Sequence, residues 1–128
     1  MRRSTQLALA ACAALALAAC AAQMPPPAGV GDIQAIVGTY SGSMKEYGTT
    51  PRLDRVTIRP DGNFEGTTGG PEGARTAGMI AVRSDGALAY EAGQARGVAT
   101  VYEGDGRRVI IFQRADGTTT TTVERSLP

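Results

Sequence analysis

Asp-Gly occurs four times between residues 61 and 117, at Asp61-Gly62, Asp85-Gly86, Asp105-Gly106 and Asp116-Gly117, each time between short apolar runs. Nothing else in the sequence restricts the fold as strongly. Glycine enters the left-handed backbone region without a Cβ clash, and aspartate tolerates that region or bonds the backbone just ahead of it. The pair therefore closes tight hairpins. Tyr47 to Pro51, Gly69-Gly70-Pro71-Glu72-Gly73 and Gly93 add looser breaks. Turns every 10–12 residues or so are the spacing of an all-β sandwich or barrel.

The runs between the turns alternate. Val56 and Ile58 flank Thr57, Ile80 and Val82 flank Ala81, and Leu88 and Tyr90 flank Ala89. Val98, Thr100 and Tyr102 lie opposite Ala99, Val101 and Glu103. A period of two with charge on the second face predicts half-buried strands. Val109-Ile110-Ile111-Phe112 is apolar on both faces and predicts the most buried strand, and the β-branched run Thr118 to Val123 predicts the last one. Only Gln34-Ala35-Ile36 suggests a helical turn.

About eight strands joined by hairpins give an antiparallel meander forming a small barrel or a strongly curled sheet. The predicted core is Ile33, Ile36, Val37, Tyr40, Leu53, Val56, Ile58, Phe64, Ile80, Val82, Leu88, Tyr90, Val98, Tyr102, Val109, Ile111, Phe112 and Val123. Residues 32–128 suffice for one independently folding domain.

The first 24 residues obey different rules. Arg2 and Arg3 precede an Ala/Leu run from Leu7 to Ala19, interrupted only by Cys12. As a helix that run covers about 20 Å, short of a membrane span and right for the apolar core of a signal peptide. It ends in Leu17-Ala18-Ala19-Cys20, which resembles the lipobox of bacterial lipoproteins. The resemblance implies a signal peptide over residues 1–19, recognised through Leu17, Ala18 and Ala19, and a Cys20 that is cleaved free and acylated. Leu9-Ala10-Ala11-Cys12 repeats the four letters but leaves too short an apolar core before it. An ordinary secretory signal cut near Ala22, or an uncleaved anchor, are the alternatives.

In that family an Asp after the cysteine favours the inner membrane. Ala21 stands here, so the resemblance implies the outer membrane, facing the periplasm, in preference to the inner one. Cys20 and the proline-rich stretch to residue 31 would form the lipidated tether, Pro25-Pro26-Pro27 favouring an extended conformation. A proline-rich recognition peptide is the other reading of these residues.

Gly38-Thr39-Tyr40 at the first strand and Arg125 near the end of the last resemble the closure of lipocalin-type barrels. There a Gly-x-Trp on the first strand is capped by a basic residue from the last. Tyr40 stands in place of Trp, and its ring can still stack under a guanidinium. The resemblance implies a barrel closed at that end.

The sequence offers little chemistry. It has no histidine, which removes a Ser-His-Asp triad and any His-bearing zinc site. If Cys12 leaves with the leader and Cys20 is acylated, no free thiol remains. Thirteen basic side chains less Arg2 and Arg3 leave 11 against 12 acidic, a net charge of −1. That gives no footprint for nucleic acid and no polybasic membrane patch. Asp61, Asp85, Asp105 and Asp116 are explained by turns, and Glu65, Glu91, Glu103 and Glu124 by solvent faces. Gly66 to Gly73 lacks the lysine and the following helix of a phosphate loop and predicts a flexible hairpin loop. No catalytic set, metal site or cofactor is expected.

Tyr40, Phe64, Tyr90, Tyr102 and Phe112 are candidates for one aromatic-lined interior, as a ligand pocket or a packed core. The leading reading is a non-enzymatic structural or interaction domain held to the bilayer through acylated Cys20, with a filled interior. A barrel for a small apolar ligand, and an inhibitor of an envelope enzyme acting through a loop at Gly66–Gly73 or Tyr47–Pro51, are the alternatives.

Overall fold

The computed structural model describes residues 24–48, 50–69 and 73–128. Residues 1–23, with the expected lipobox residues Leu17, Ala18, Ala19 and Cys20, lie outside them. A short 3₁₀ helix, Ile33–Ile36, precedes eight strands: β1 Gly38–Glu46, β2 Arg52–Ile58, β3 Asn63–Thr68, β4 Ala74–Val82, β5 Leu88–Ala92, β6 Ala95–Gly104, β7 Arg107–Arg114 and β8 Thr119–Ser126. Each pairs antiparallel with the next, and β8 returns to β1, with Ser41 opposite Glu124 and Glu46 opposite Thr119. The meander closes into a barrel.

The Asp-Gly turns work in two ways. Asp61, Asp85 and Asp116 each accept a hydrogen bond from the backbone N–H two residues on, while the following glycine takes φ of 75–87°. Asp105 instead enters the left-handed region itself (φ 54°) beside Gly106 (φ 73°), as a two-residue hairpin requires.

Alternation sorts the side chains. Tyr40, Val56, Ile58, Phe64, Ile80, Leu88, Phe112 and Val123 are buried, as are Val109 and Ile110 on the two faces of β7. Four expected core residues of the strands fall elsewhere, among them Ile111, half-buried because Ile110 and Phe112 hold the inward phase of β7. Leu53 is 73% exposed, because Val56 and Ile58 fix the inward phase of β2 and Leu53 is out of phase with them. Val98 is 42% exposed and Tyr102 only half-buried, because β6 turns Ala99 and Val101 inward. Ala99 lies directly across from Phe112, and the small side chain leaves room for the ring.

One end of the barrel is shut. Tyr40 is fully buried there, its hydroxyl donating to the Ile36 carbonyl at 2.8 Å and accepting from Arg108 Nη1 at 3.3 Å. The Arg125 guanidinium lies 5.8 Å from the centre of the Tyr40 ring and donates to the Val37 carbonyl at 2.8 Å. It fills the space that a Cβ on Gly38 would need, so residue 38 must be glycine for Arg125 to lie there. The residues that carry the lipocalin resemblance thus meet in space.

The N-terminal segment helps shut this end. Ala28 N–H donates to the Val101 carbonyl at 2.8 Å, Glu103 N–H donates to the Pro26 carbonyl at 3.0 Å, and Pro27 bridges Tyr102. Val30 is buried in the core. Pro26 to Val30, read from sequence as part of a free tether, is attached to β6 over its edge beyond β5. Without a charge or a periodic pattern, the segment carries no sequence signal of that contact.

Candidate functional site

The opposite end of the barrel is open. A cavity of about 320 Å³ runs in from the loops that join β1 to β2, β3 to β4, β5 to β6 and β7 to β8. That volume is at the small end of ligand pockets and holds about ten water-sized groups.

Phe64, Tyr90 and Phe112 make its floor. Their ring centroids are 5.4–6.3 Å apart, and Tyr90 meets both phenylalanines edge-on. The floor follows from pairing large residues with small ones across strands. Phe64 lies opposite Gly78, Tyr90 opposite Gly97 and Phe112 opposite Ala99. Ring atoms of Phe64 and Tyr90 come within 2.7 Å of where a Cβ on Gly78 or Gly97 would stand, and the backbone carbonyls of Glu91 and Gln113 come closer still, so neither glycine can carry a side chain without moving both ring and strand. The rings cover their glycines and in exchange are held at one height in the lumen.

The walls above the floor are small side chains, Val56 and Gly66 with the hydroxyls of Thr68, Thr76 and Thr121, and Glu46, Arg52, Arg114 and Thr119 stand nearer the mouth. At Gly66 a Cβ would find no atom nearer than 3.8 Å. The absent side chain is part of the lumen's volume.

Asp54 is the half-buried acid of this wall. Its Oδ1 accepts from Arg55 N–H at 2.9 Å and from the Thr68 hydroxyl at 3.5 Å. Burial pushes its carboxyl above the usual carboxylate range, and those two bonds oppose the shift without cancelling it. Arg114, by contrast, turns to Asp116 at 3.0 Å. Burial also raises the Tyr90 phenol.

Phe64, Tyr90 and Phe112 therefore line one cavity. Tyr40 lies beneath it in the shut end, and Tyr102 lies outside against the N-terminal segment. Gly66, Thr67 and Thr68, read from sequence as loop, belong to β3. Asp54, Gly66 and the wall threonines Thr68, Thr76 and Thr121 are among the lumen residues that the sequence reading missed. The signal was present, since Asp54 is in phase with inward Val56, but an acid in that phase reads as an interruption rather than a wall.

The glutamates read as solvent-facing each meet an arginine: Glu65 with Arg59 at 2.7 Å, Glu91 with Arg96 at 3.6 Å, Glu103 with Arg108 at 3.2 Å and Glu124 with Arg107 at 2.9 Å. Among the described residues no three His, Cys, Asp or Glu side chains gather where they would hold a metal ion. What the lumen offers is apolar area at depth, hydroxyls at mid-height and one desolvated carboxylate. No protein-family model, curated protein or solved structure matches the chain.

Proposed function

We propose that this protein is a non-enzymatic binding barrel, held to a bacterial envelope membrane through acylated Cys20, that takes one small amphipathic molecule into its open end. The single observation behind the reading is the 320 Å³ lumen above a fixed aromatic floor. A structural or interaction domain leads on sequence grounds, because an anchor, a spacer and a β module carry no reactive residues, and it expects a filled interior; the lumen supports the binding reading instead. The ligand's apolar end would pack on Phe64, Tyr90 and Phe112, and its polar end would meet the threonine hydroxyls and Asp54.

Gly66→Leu separates binding from folding. The new Cβ makes only ordinary contacts, at 3.8 Å and beyond, the rest of the side chain projects into the lumen that Gly66 lines, and replacing a strand glycine favours the strand by about 0.5–1 kcal/mol. The test is titration of wild type and variant with the fluorescent apolar probe N-phenyl-1-naphthylamine, alongside thermal unfolding. Saturable 1:1 binding to the wild type, lost in a variant of equal or higher Tm, supports the reading. No binding to either protein, or equal binding to both, overturns it.

A further inference from the structure

The N-terminal segment leaves the barrel at the shut end. β5 accompanies β6 only as far as Ala99, whereas β6 and β7 stay paired to Gly104 and Arg107. Pro26, Pro27 and Ala28 occupy the edge of β6 that β5 leaves bare. Pro25 and Pro26 stand against Gly104, with atoms 3.1–3.4 Å from where its Cβ would be. The chain is therefore fixed beside the Gly104-Asp105-Gly106 turn, at the far end from the lumen's mouth.

Cys20 lies five residues before Pro25. At 3.3–3.6 Å per residue, five residues reach about 18 Å. The ten residues of β6 span roughly 33 Å along the strand, and a strand tilt near 40° makes the barrel about 25 Å tall. To bring the mouth to the bilayer, the exit point must stand a full barrel height above the surface. The linker is too short for that.

We infer that the barrel is held with its shut end toward the membrane and its mouth away from it, so that its ligand is a water-borne amphiphile and not a lipid drawn from the anchoring leaflet. The inference rests on acylation of Cys20 and on the binding reading above. Membrane-facing elements would be the β6–β7 turn, exposed Pro26 and the end of β8. The lumen residues would face the aqueous compartment.

The full chain, expressed with its own leader in bacteria and purified in detergent, tests this. Intact mass is read first, and a protein without acyl chains on Cys20 overturns the premise separately from the orientation. Ser126→Cys marks the shut end and Ala115→Cys the mouth; both positions are exposed. Each is labelled with a fluorophore and reconstituted into phosphatidylcholine–phosphatidylglycerol vesicles carrying a headgroup nitroxide lipid. Several-fold stronger quenching at position 126 than at 115 is expected. A Gly/Ser insertion of about 30 residues after Met24, with a mean reach near 30 Å, should abolish the contrast. Equal or stronger quenching at position 115 in the uninserted protein overturns the orientation. Probe binding to the soluble domain is scored independently, so the lumen reading can fail while the orientation stands, and the reverse.

Discussion

Asp54 is a carboxylate in a place that favours its neutral form. Its ordinary value is 3.8, and burial raises it in the folded protein. Between those two values the folded chain binds more protons than the unfolded one, so stability falls as pH rises through that window and stays lowered at neutral pH. Asp54→Asn should therefore raise Tm at pH 7, with the gain vanishing below the ordinary value. A gain of the same size at both pH values would place the effect in packing. Asp61 and Asp116 run the other way. The Asn63 backbone N–H, with its side-chain amide, holds Asp61 low, and the Thr118 hydroxyl and N–H hold Asp116 low. Their contribution is present above the ordinary value and lost as pH falls through the folded one. Tyr40 shows what a single hydroxyl does at the shut end. Tyr40→Phe leaves the Ile36 carbonyl and Arg108 without that partner, at an expected cost of about 1–3 kcal/mol by urea denaturation. At this scale the sequence was partly legible. Gly38, Tyr40 and Arg125 stood out as a set; Asp54 did not, because a polar residue in an inward phase has no distinctive pattern.

Strands and turns were the most legible level. Asp-Gly marked four turns correctly, since both ways of closing them use that pair. Apart from Leu53 in β2, the misplaced core residues lie where a strand is apolar on both faces. In β6 the larger residues looked like the buried set, yet Ala99 faces Phe112 and Val98 faces out. Which face of such a strand turns inward is decided across the barrel, by volume, and not along the strand. The N-terminal segment is the element whose boundary sequence misplaced. A domain begun at residue 32 would lose buried Val30 and the two backbone hydrogen bonds to β6. Val30 alone is worth roughly 1.5–3 kcal/mol, and a bare strand edge invites pairing between copies. Compared with a chain begun at residue 24, the shorter one should unfold at lower denaturant and elute partly as dimer or larger species in size-exclusion chromatography. Identical behaviour of the two would mean that the segment rests on the barrel without supporting it.

In the whole molecule the interior is divided. Ile36, Tyr40, Ile58, Leu88, Ile110 and Val123 pack one half solid, while the other half stays open above the rings. Stability and binding then rest on different residues, which is why Gly66→Leu can alter one without lowering the other. Closure has a further consequence, in time. Every neighbouring pair is a hairpin between consecutive strands except one: β1 must wait for β8, with Ser41 meeting Glu124 near the end of the chain. Local hairpins form early, but the longest loop closes last. A chain that emerges N-terminus first cannot lock until its final strand, Thr119–Ser126, has arrived. Until then β1 keeps an unpaired edge, and the barrel comes into being only once the last strand has docked on it.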